Sequence, residues 1–91
     1  MSERFPSPSY RIRVERTAAK ALARRIRRED AERIRRAIDG LAADPLPQSI
    51  ELRGREGRRL RVGDYRVLYE VDDDELVVTV LGVGHRRDVY R

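Results

Sequence analysis

The chain has 91 residues, no cysteine and one histidine, and its 21 basic and 16 acidic residues give a formal net charge of +5. This length predicts one domain with a small core, and the lack of cysteine excludes disulfides and thiolate zinc sites. Because no Asp/Glu spacing suits a metal, we expect neither a metal nor another cofactor. The lack of cysteine also suits a reducing cytoplasm. No apolar run approaches the roughly 20 residues of a membrane span, so no membrane partner is expected.

Arginine dominates the basic residues, since Lys20 is the single lysine. Such an excess of guanidinium groups favours a polyanionic partner, either nucleic acid or an acidic protein, because each neutralised phosphate releases counterions. Arginine in place of lysine could equally reflect genome composition, above all on surface helices. The positive charge therefore indicates a binding site for a polyanion chiefly where arginines converge in space.

Residues 1–9 (MSERFPSPS) lack the apolar stretch of a signal peptide and are expected to form a flexible leader. Residues 10–91 are expected to form a single domain. Its first element is a strand, because YRIRVE (Tyr10 to Glu15) alternates apolar and charged residues with period two.

Two helices are predicted to follow as a hairpin. Thr17 is suited to cap the first, whose apolar residues recur at helical spacing: Ala18, Ala21, Leu22 and Ile26. The second has one apolar stripe, formed by Ala31, Ile34, Ala37, Ile38 and Leu41. Its polar face offers the i,i+4 ion pairs Glu29 to Arg33 and Glu32 to Arg36. Pro45 disfavours helical geometry at Asp44, so this helix should end near Ala43.

The second half of the chain is predicted to form three antiparallel strands after a Pro- and Gly-containing connector. RRLRV has one apolar and one cationic face, and Gly63 and Asp64 suit a two-residue type II′ turn into YRVLYEV. The aspartates at 72–74 fit no calcium loop and are expected to form a solvated turn before the β-branched run ELVVTVLGV. The fold class is therefore α+β, with an N-terminal strand, a helical hairpin and a three-stranded meander in one mainly antiparallel sheet.

The candidate site lies at one end of this sheet. The hairpin brings Arg59 and Arg61 close to Arg66, and the last strand ends nearby with His85, Arg86 and Tyr90. Guanidinium groups match phosphate oxygens and stabilise charge that develops during phosphoryl transfer. The residues thus indicate a phosphate clamp with a tyrosine at its edge.

RNA offers a reaction that suits such a clamp. Its 2′-hydroxyl can attack the adjacent phosphate when a base removes the proton, and DNA lacks this hydroxyl. Neighbouring cations lower the pKa of a tyrosine, which makes Tyr90 one candidate base beside His85 and water. A scheme with two histidines is unavailable to a chain with one.

At this point the sequence resembles a known family. LRGREGRRLRVGDYRVLYEVDDDELVVTVLGVGHRRDVYR is similar to the C-terminal half of RelE-type toxins of the RelE/ParE toxin–antitoxin superfamily, and residues 10–43 agree with that family's strand and helical hairpin. The resemblance implies an mRNA endoribonuclease that acts on codons in the ribosomal A site and leaves a 2′,3′-cyclic phosphate and a 5′-hydroxyl.

The resemblance also implies roles for individual residues. Arg66 in DYR and Arg86 in HRRDVY match phosphate-stabilising arginines, and Tyr90 matches the proposed general base. Arg59 and Arg61 match basic positions that are often lysine in the family. Arginine is less suited than lysine to protonating a leaving oxygen, so the proton donor stays open. The residues predicted to bind RNA without a catalytic role are Arg59, Arg61, His85 and Arg87.

Each of these residues also has a structural interpretation. Arg66 could pair with an acid such as Glu70, one of Arg86 and Arg87 could only bind Asp88, and Tyr90 could close the sheet edge. The strand arginines could form a solvated face, and His85 could be a packing group. Tyr65 and Tyr69 are expected to pack in the core.

The implied partners are a cognate antitoxin, mRNA and the ribosome, with operator DNA contacted only through the antitoxin. Two other functions stay open. One is a ParE-type inhibitor of DNA gyrase, which shares the fold and needs no ribonuclease residues. The other is a non-catalytic basic nucleic-acid-binding module, which accounts for the charge but not for the order of the motifs.

Overall fold

The computed structural model describes residues 9–46, 49–51 and 57–85, and the predicted leader falls almost entirely outside them. The elements in chain order are β1 (Arg11–Val14), α1 (Arg16–Lys20) with a π-helical continuation (Ala21–Arg25), α2 (Arg28–Gly40), β2 (Ser49–Glu51), β3 (Arg58–Val62), β4 (Tyr65–Asp72) and β5 (Val77–His85). The five strands form one sheet in the order β1-β5-β4-β3-β2.

The predicted α+β class and the antiparallel meander β3-β4-β5 are confirmed. The N-terminal strand β1 pairs in parallel with β5, from Arg11 opposite Val77 to Val14 opposite Val80. The short strand β2, which pairs antiparallel with β3, was not predicted, because its segment has the prolines and glycines of a connector. In the part of the chain that the structure describes, neither helix is long and apolar enough to cross a membrane.

The first helix differs from the prediction at its start. The capping position is Glu15 rather than Thr17, and no side chain caps the helix. Glu15 instead supplies its carbonyl oxygen, which accepts a 2.9 Å hydrogen bond from the Ala19 N–H. Thr17 is exposed within the first turn. The helix then widens into the π-helical turn and stops at Ile26, whose φ of −117° and ψ of 138° are extended.

Helix α2 buries the predicted stripe through Ala31, Ile34 and Ile38. Its last turn tightens, because the N–H groups of Leu41, Ala42 and Ala43 each donate to the carbonyl three residues earlier. The predicted ion pairs are wrong: Arg33 binds Asp30 at 3.2 Å instead of Glu29, and within the described residues Glu32 and Arg36 form no ion pair.

The core lies between the helical hairpin and one face of the sheet. Alternate strand residues point toward the helices, namely Leu60, Val67, Tyr69, Val78 and Val80. Tyr69 is wholly buried, and its hydroxyl donates a 2.8 Å hydrogen bond to the Pro45 carbonyl oxygen. This bond connects the centre of the sheet to the segment that leaves α2, and the core role predicted for Tyr69 is confirmed.

Tyr69→Phe is expected to lower the free energy of unfolding by about 1–2 kcal/mol, because the Pro45 carbonyl loses its donor in a partly buried place. Urea denaturation of the purified protein measures the loss. Tyr10→Phe is the matched control, since the Tyr10 hydroxyl bonds at the exposed surface. An equal loss in both variants would contradict the importance of burial at Tyr69.

The β3–β4 hairpin has the predicted turn. Gly63 has a φ of +60°, whereas Asp64 is not among the residues with positive φ, as a type II′ turn requires. The pairing of β4 with β5 shifts by one residue. Leu68 of β4 pairs with Gly82, but the next residue, Tyr69, pairs with Val80. Leu81 is therefore an extra residue, a β-bulge that reverses the faces of the residues after it.

The aspartates at 72–74 form the turn between β4 and β5, as predicted. One Asp72 carboxylate oxygen accepts hydrogen bonds from the N–H groups of Asp74 and Glu75, each at 3.0 Å. The Tyr10 hydroxyl donates a 2.7 Å hydrogen bond to Asp73 Oδ1, which links the turn to the chain just before β1. This bond chiefly raises the pKa of Tyr10 above its ordinary 10.0, followed by desolvation and by repulsion between Asp73 and the phenolate.

Alkaline titration should therefore show Tyr10 ionising above pH 10.0. Because the pKa is raised in the folded state, the stabilisation from this bond is complete below pH 10.0 and is lost as the pH rises through the folded-state pKa. Tyrosinate absorbance, compared between the wild type and Tyr10→Phe, isolates the transition. Asp73→Asn should move it down toward the ordinary value, while Asp74→Asn should leave it in place. No shift with Asp73→Asn would contradict the assignment.

Candidate functional site

Three of the predicted site arginines lie together on the sheet face opposite the helices. Leu60 of β3 points into the core, so its neighbours Arg59 and Arg61 point to the open face. Arg66 of β4 points the same way, because its neighbours Tyr65 and Val67 face the helices. Arg61 and Arg66 are direct cross-strand partners, which places two guanidinium-bearing side chains next to each other.

Glycines of β5 form the surface beside these arginines. Arg66 lies opposite Gly84, and Leu68 lies opposite Gly82. A Cβ atom built on Gly82 meets nothing within 4 Å, so the space above Gly82 is open. The sheet therefore offers bare backbone next to Arg66, where a ligand can approach closely. Sequence reasoning missed this feature, although two glycines two residues apart in a strand are a signal for it.

The side chain of Arg61 is oriented by the turn that follows it. Its Nε atom donates a 3.2 Å hydrogen bond to the Gly63 carbonyl oxygen. A guanidinium has five N–H donors, so one bond fixes its direction and the terminal nitrogens remain suited to anion binding. Arg61 is exposed, while Arg59 and Arg66 are half-buried.

His85 lies on the opposite face from these arginines. It pairs with Tyr65 across β4 and β5, and the two rings meet edge to face with centroids 5.7 Å apart and an interplanar angle of 77°. The structure thus groups His85 with the helix side of the sheet. Arg86, Arg87 and Tyr90 lie outside the described residues. Their convergence with Arg66 stays a prediction.

The open face is divided by charge along its strands. Beyond Leu68, the outward residues of β4 change from Arg66 to the acids Glu70 and Asp72. Together with Arg11 and Arg13 of β1, these acids line a groove of about 930 Å³. A polyanion meets attraction at the Arg59–Arg61–Arg66 end and carboxylates at the other. The alternation in YRVLYEVD contained this signal, which sequence reasoning did not use.

The chemistry open to Arg59, Arg61 and Arg66 is anion binding and charge stabilisation. Their planar donor groups match the oxygens of a phosphate, and a guanidinium cation has N–H donors but no acceptor for a proton. They therefore cannot accept the proton of a nucleophile. A complete site for phosphoryl transfer needs a base from another part of the chain.

Comparison with solved structures defines this fold as that of RelE toxins. The toxin–antitoxin complex RelBE2 from Mycobacterium tuberculosis matches with a TM-score of 0.77 and 30% identity, covering 88% of this chain and 94% of that chain. The archaeal RelE–RelB complex from Pyrococcus horikoshii OT3 matches with a TM-score of 0.74 and 27% identity, covering 89% of this chain and 99% of that one.

The sequence comparisons agree with the fold. Residues 8–90 match the family described as the ParE toxin of the type II toxin–antitoxin system parDE. Toxin RelG of Mycobacterium tuberculosis is 36% identical over 86 residues, which are 90% of this chain and 97% of that relative. The chain belongs to this family, within the RelE/ParE superfamily, and is a toxin of a type II toxin–antitoxin system. The RelE-type resemblance of the sequence is confirmed.

Proposed function

We propose that this toxin is a ribosome-dependent mRNA endoribonuclease. The observation that supports the proposal most strongly is the pairing of Arg61 with Arg66 on the open face, with Arg59 beside them and Gly84 opposite Arg66. Two adjacent guanidinium groups beside bare backbone suit a phosphodiester whose negative charge grows during cleavage. The similarity to Toxin RelG and to the RelE complexes supports the same activity.

The proposed reaction is attack of a 2′-hydroxyl on the adjacent phosphorus. The bond from the 2′ oxygen to phosphorus forms, and the bond from phosphorus to the 5′ oxygen breaks. This leaves a 2′,3′-cyclic phosphate and a 5′-hydroxyl. Tyr90 takes the proton of the 2′-hydroxyl, while Arg66 and Arg86 stabilise the phosphorane charge. No metal or other cofactor takes part.

The remaining predicted residues bind RNA in this proposal. Arg59 and Arg61 contact phosphates along the open face, and Arg87 contributes from the segment after β5. Contact between His85 and RNA stays a prediction, since the described side chain packs against Tyr65 on the helix side. Arginines remain protonated at ordinary pH, so the 5′ oxygen receives its proton from another donor, such as water.

The acidic half of the open face supports one orientation of the RNA. Glu70 and Asp72 lie on the same face of β4 as Arg66. They are the second and third outward-facing residues after Arg66 along the strand. Carboxylates repel a phosphate backbone that extends in their direction. The RNA strand should therefore cross the sheet at the arginine end rather than run along β4.

The proposed partners are a cognate antitoxin, mRNA and the ribosome, and the site of action is the cytoplasm. The two solved relatives are toxin–antitoxin complexes, which supports an antitoxin for this chain. Antitoxin segments that wrap a toxin commonly fold on binding. The complex contacts operator DNA only through the antitoxin.

A second candidate function is inhibition of DNA gyrase. One observation favours it, namely that the matched family over residues 8–90 is described as the ParE toxin of parDE. A toxin of this kind binds a protein and leaves messages intact. It does not need the paired arginines for chemistry.

Mapping of mRNA 5′ ends after induction tests the proposal. Ribonuclease activity gives new 5′-hydroxyl ends inside translated codons. These ends disappear when translation is blocked before codons enter the ribosomal A site. Gyrase inhibition gives intact messages, an SOS response and loss of supercoiling. The Arg86→Ala, Tyr90→Ala double variant is the control, and it should bind antitoxin but not inhibit growth. Wild-type toxicity in that variant would remove both residues from the site.

A further inference from the structure

We infer that Arg33 of helix α2 is a positioning residue for the Arg61–Arg66 pair and that it acts through the β3–β4 turn. The predicted site residues that the structure describes all lie on strands rather than on a helix. The inference about cleavage rests on the proposed function, whereas the inference about side-chain geometry does not.

Arg33 extends from the helix to the turn, and its guanidinium lies near a residue of each. Its Nη2 atom binds Asp30 Oδ1 at 3.2 Å, one helical turn earlier on α2. Its other terminal nitrogen faces Gly63: a Cβ atom built there lies 3.0 Å from Arg33 Nη1 and 3.7 Å from Cζ. The guanidinium therefore lies against the Gly63 backbone in space that a larger residue would fill.

A gap separates this part of the helix from the turn. A cavity of about 140 Å³ lies between them, lined by Asp30, Arg33, Val62, Gly63, Asp64 and Tyr65. The side chain of Arg33 spans this gap. The Arg33–Asp30 pair is partly exposed, with 56% and 26% of the two side chains accessible, so it adds little to global stability. The role of the ion pair is to fix the position of the Arg33 guanidinium.

The turn passes this constraint to the open face. The Gly63 carbonyl oxygen accepts the hydrogen bond from Arg61 Nε at 3.2 Å, and Arg61 lies directly opposite Arg66. Movement of Gly63 moves the acceptor that orients Arg61. Asp30, Arg33, Gly63 and Arg61 thus form a continuous series of contacts from the helix layer through the sheet edge to the phosphate-binding face. Small displacements of charge-stabilising groups have large effects on rate.

The test compares Arg33→Ala and Asp30→Asn with Arg36→Ala as matched control. Arg36 is an exposed arginine on the same helix. The first readout is the NMR signal of the Arg61 Nε–H group, assigned with Arg61→Lys. The second is the kcat and KM of cleavage on ribosomes with a programmed A-site codon. Circular dichroism checks that each variant is folded, and Asp30→Asn keeps the side-chain shape if Arg33→Ala does not fold.

Positioning by Arg33 predicts a shifted or broadened Arg61 Nε–H signal in both test variants and an unchanged one in Arg36→Ala. It also predicts that kcat falls about tenfold in Arg33→Ala with little change in KM. A smaller fall is expected in Asp30→Asn. An Arg61 signal identical to the wild type in both variants overturns the inference. If the Arg61 signal shifts in the two variants while the wild-type protein cleaves no RNA, the geometric inference is supported and the proposed function is contradicted.

Discussion

Arg66→Ala is expected to lower ribosome-dependent cleavage by about 100- to 1000-fold, the usual cost of losing one group that stabilises transition-state charge. Arg66 is half-buried, lies opposite both Arg61 and Gly84, and is held in a central strand rather than in a loop. The backbone that carries its side chain is therefore well fixed next to the open surface. The loss should appear in kcat, because Arg59 and Arg61 still bind the RNA backbone. Single-turnover cleavage on programmed ribosomes measures it.

Arg13→Ala is the matched control for this prediction. Arg13 is an arginine on the same face of the sheet, paired with Thr79 of β5, but it lines the groove that also contains Glu70 and Asp72. The Arg13→Ala variant should cleave RNA at the wild-type rate. Arg66→Lys should recover only part of the activity, because an ammonium group keeps the charge but loses the planar pair of donors. Full activity in Arg66→Ala would remove Arg66 from the catalytic site.

Ile34→Ala is expected to lower the free energy of unfolding by about 3 kcal/mol. Ile34 is 1% exposed at the centre of α2 and packs in the cluster between helices and sheet. Removing its side chain loses buried apolar surface and leaves a cavity. A domain of this size has a stability near the lower end of the roughly 5–15 kcal/mol range, so the loss is a large part of the total.

Urea denaturation of the antitoxin-free toxin measures this loss, with Leu46→Ala as the control. Leu46 is 53% exposed, so its truncation should change stability by less than about 0.5 kcal/mol. If Ile34→Ala cost no more than Leu46→Ala, the helical hairpin would not be an integral part of the core. Activity of the folded fraction should be retained, since Ile34 is on the far side of the sheet from the arginines.

The strands and their faces were predictable because alternation of side chains is a local property. RRLRV and YRVLYEV place Leu60, Val67 and Tyr69 inside and Arg59, Arg61 and Arg66 outside, as the structure shows. The type II′ turn followed from Gly63 at the first central position. The apolar stripe of α2 was predictable for the same reason. These parts of the site needed no knowledge of tertiary contacts.

Other features depend on contacts between distant segments. Strand β2 exists because its backbone pairs with β3, and the same residues out of that context have the composition of a connector. Thr17 has the chemistry of a helix cap, but parallel pairing of β1 with β5 ends with the Glu15 N–H bonded to the Val80 carbonyl. The helix can therefore begin one residue before Thr17. Nothing local to Thr17 indicates this.

The position of His85 shows how one residue changes a prediction. Strict alternation from the buried Val78 and Val80 would place His85 on the open face with Arg66. The bulge at Leu81 shifts the alternation by one, so Val83 and His85 point to the helices and Gly82 and Gly84 point outward. Because of the bulge, the backbone of Gly84 rather than the side chain of His85 lies on the open face beside Arg66. Gly82, next to Leu81 in LVVTVLGVGH, is compatible with a bulge, but a glycine in a strand also marks a close backbone approach, so sequence alone could not locate the bulge.

The place of β5 in the sheet has a consequence for synthesis. It is the last described strand to leave the ribosome, yet it lies between β1 and β4 and pairs with both. A nascent chain that ends before β5 has two separate strand groups and cannot complete the sheet, because long-range pairing waits for the missing partner. Under the proposed ribosome-dependent activity, an unfinished chain still on the ribosome therefore has an incomplete sheet, in which β4 lacks its partner strand beside Arg66.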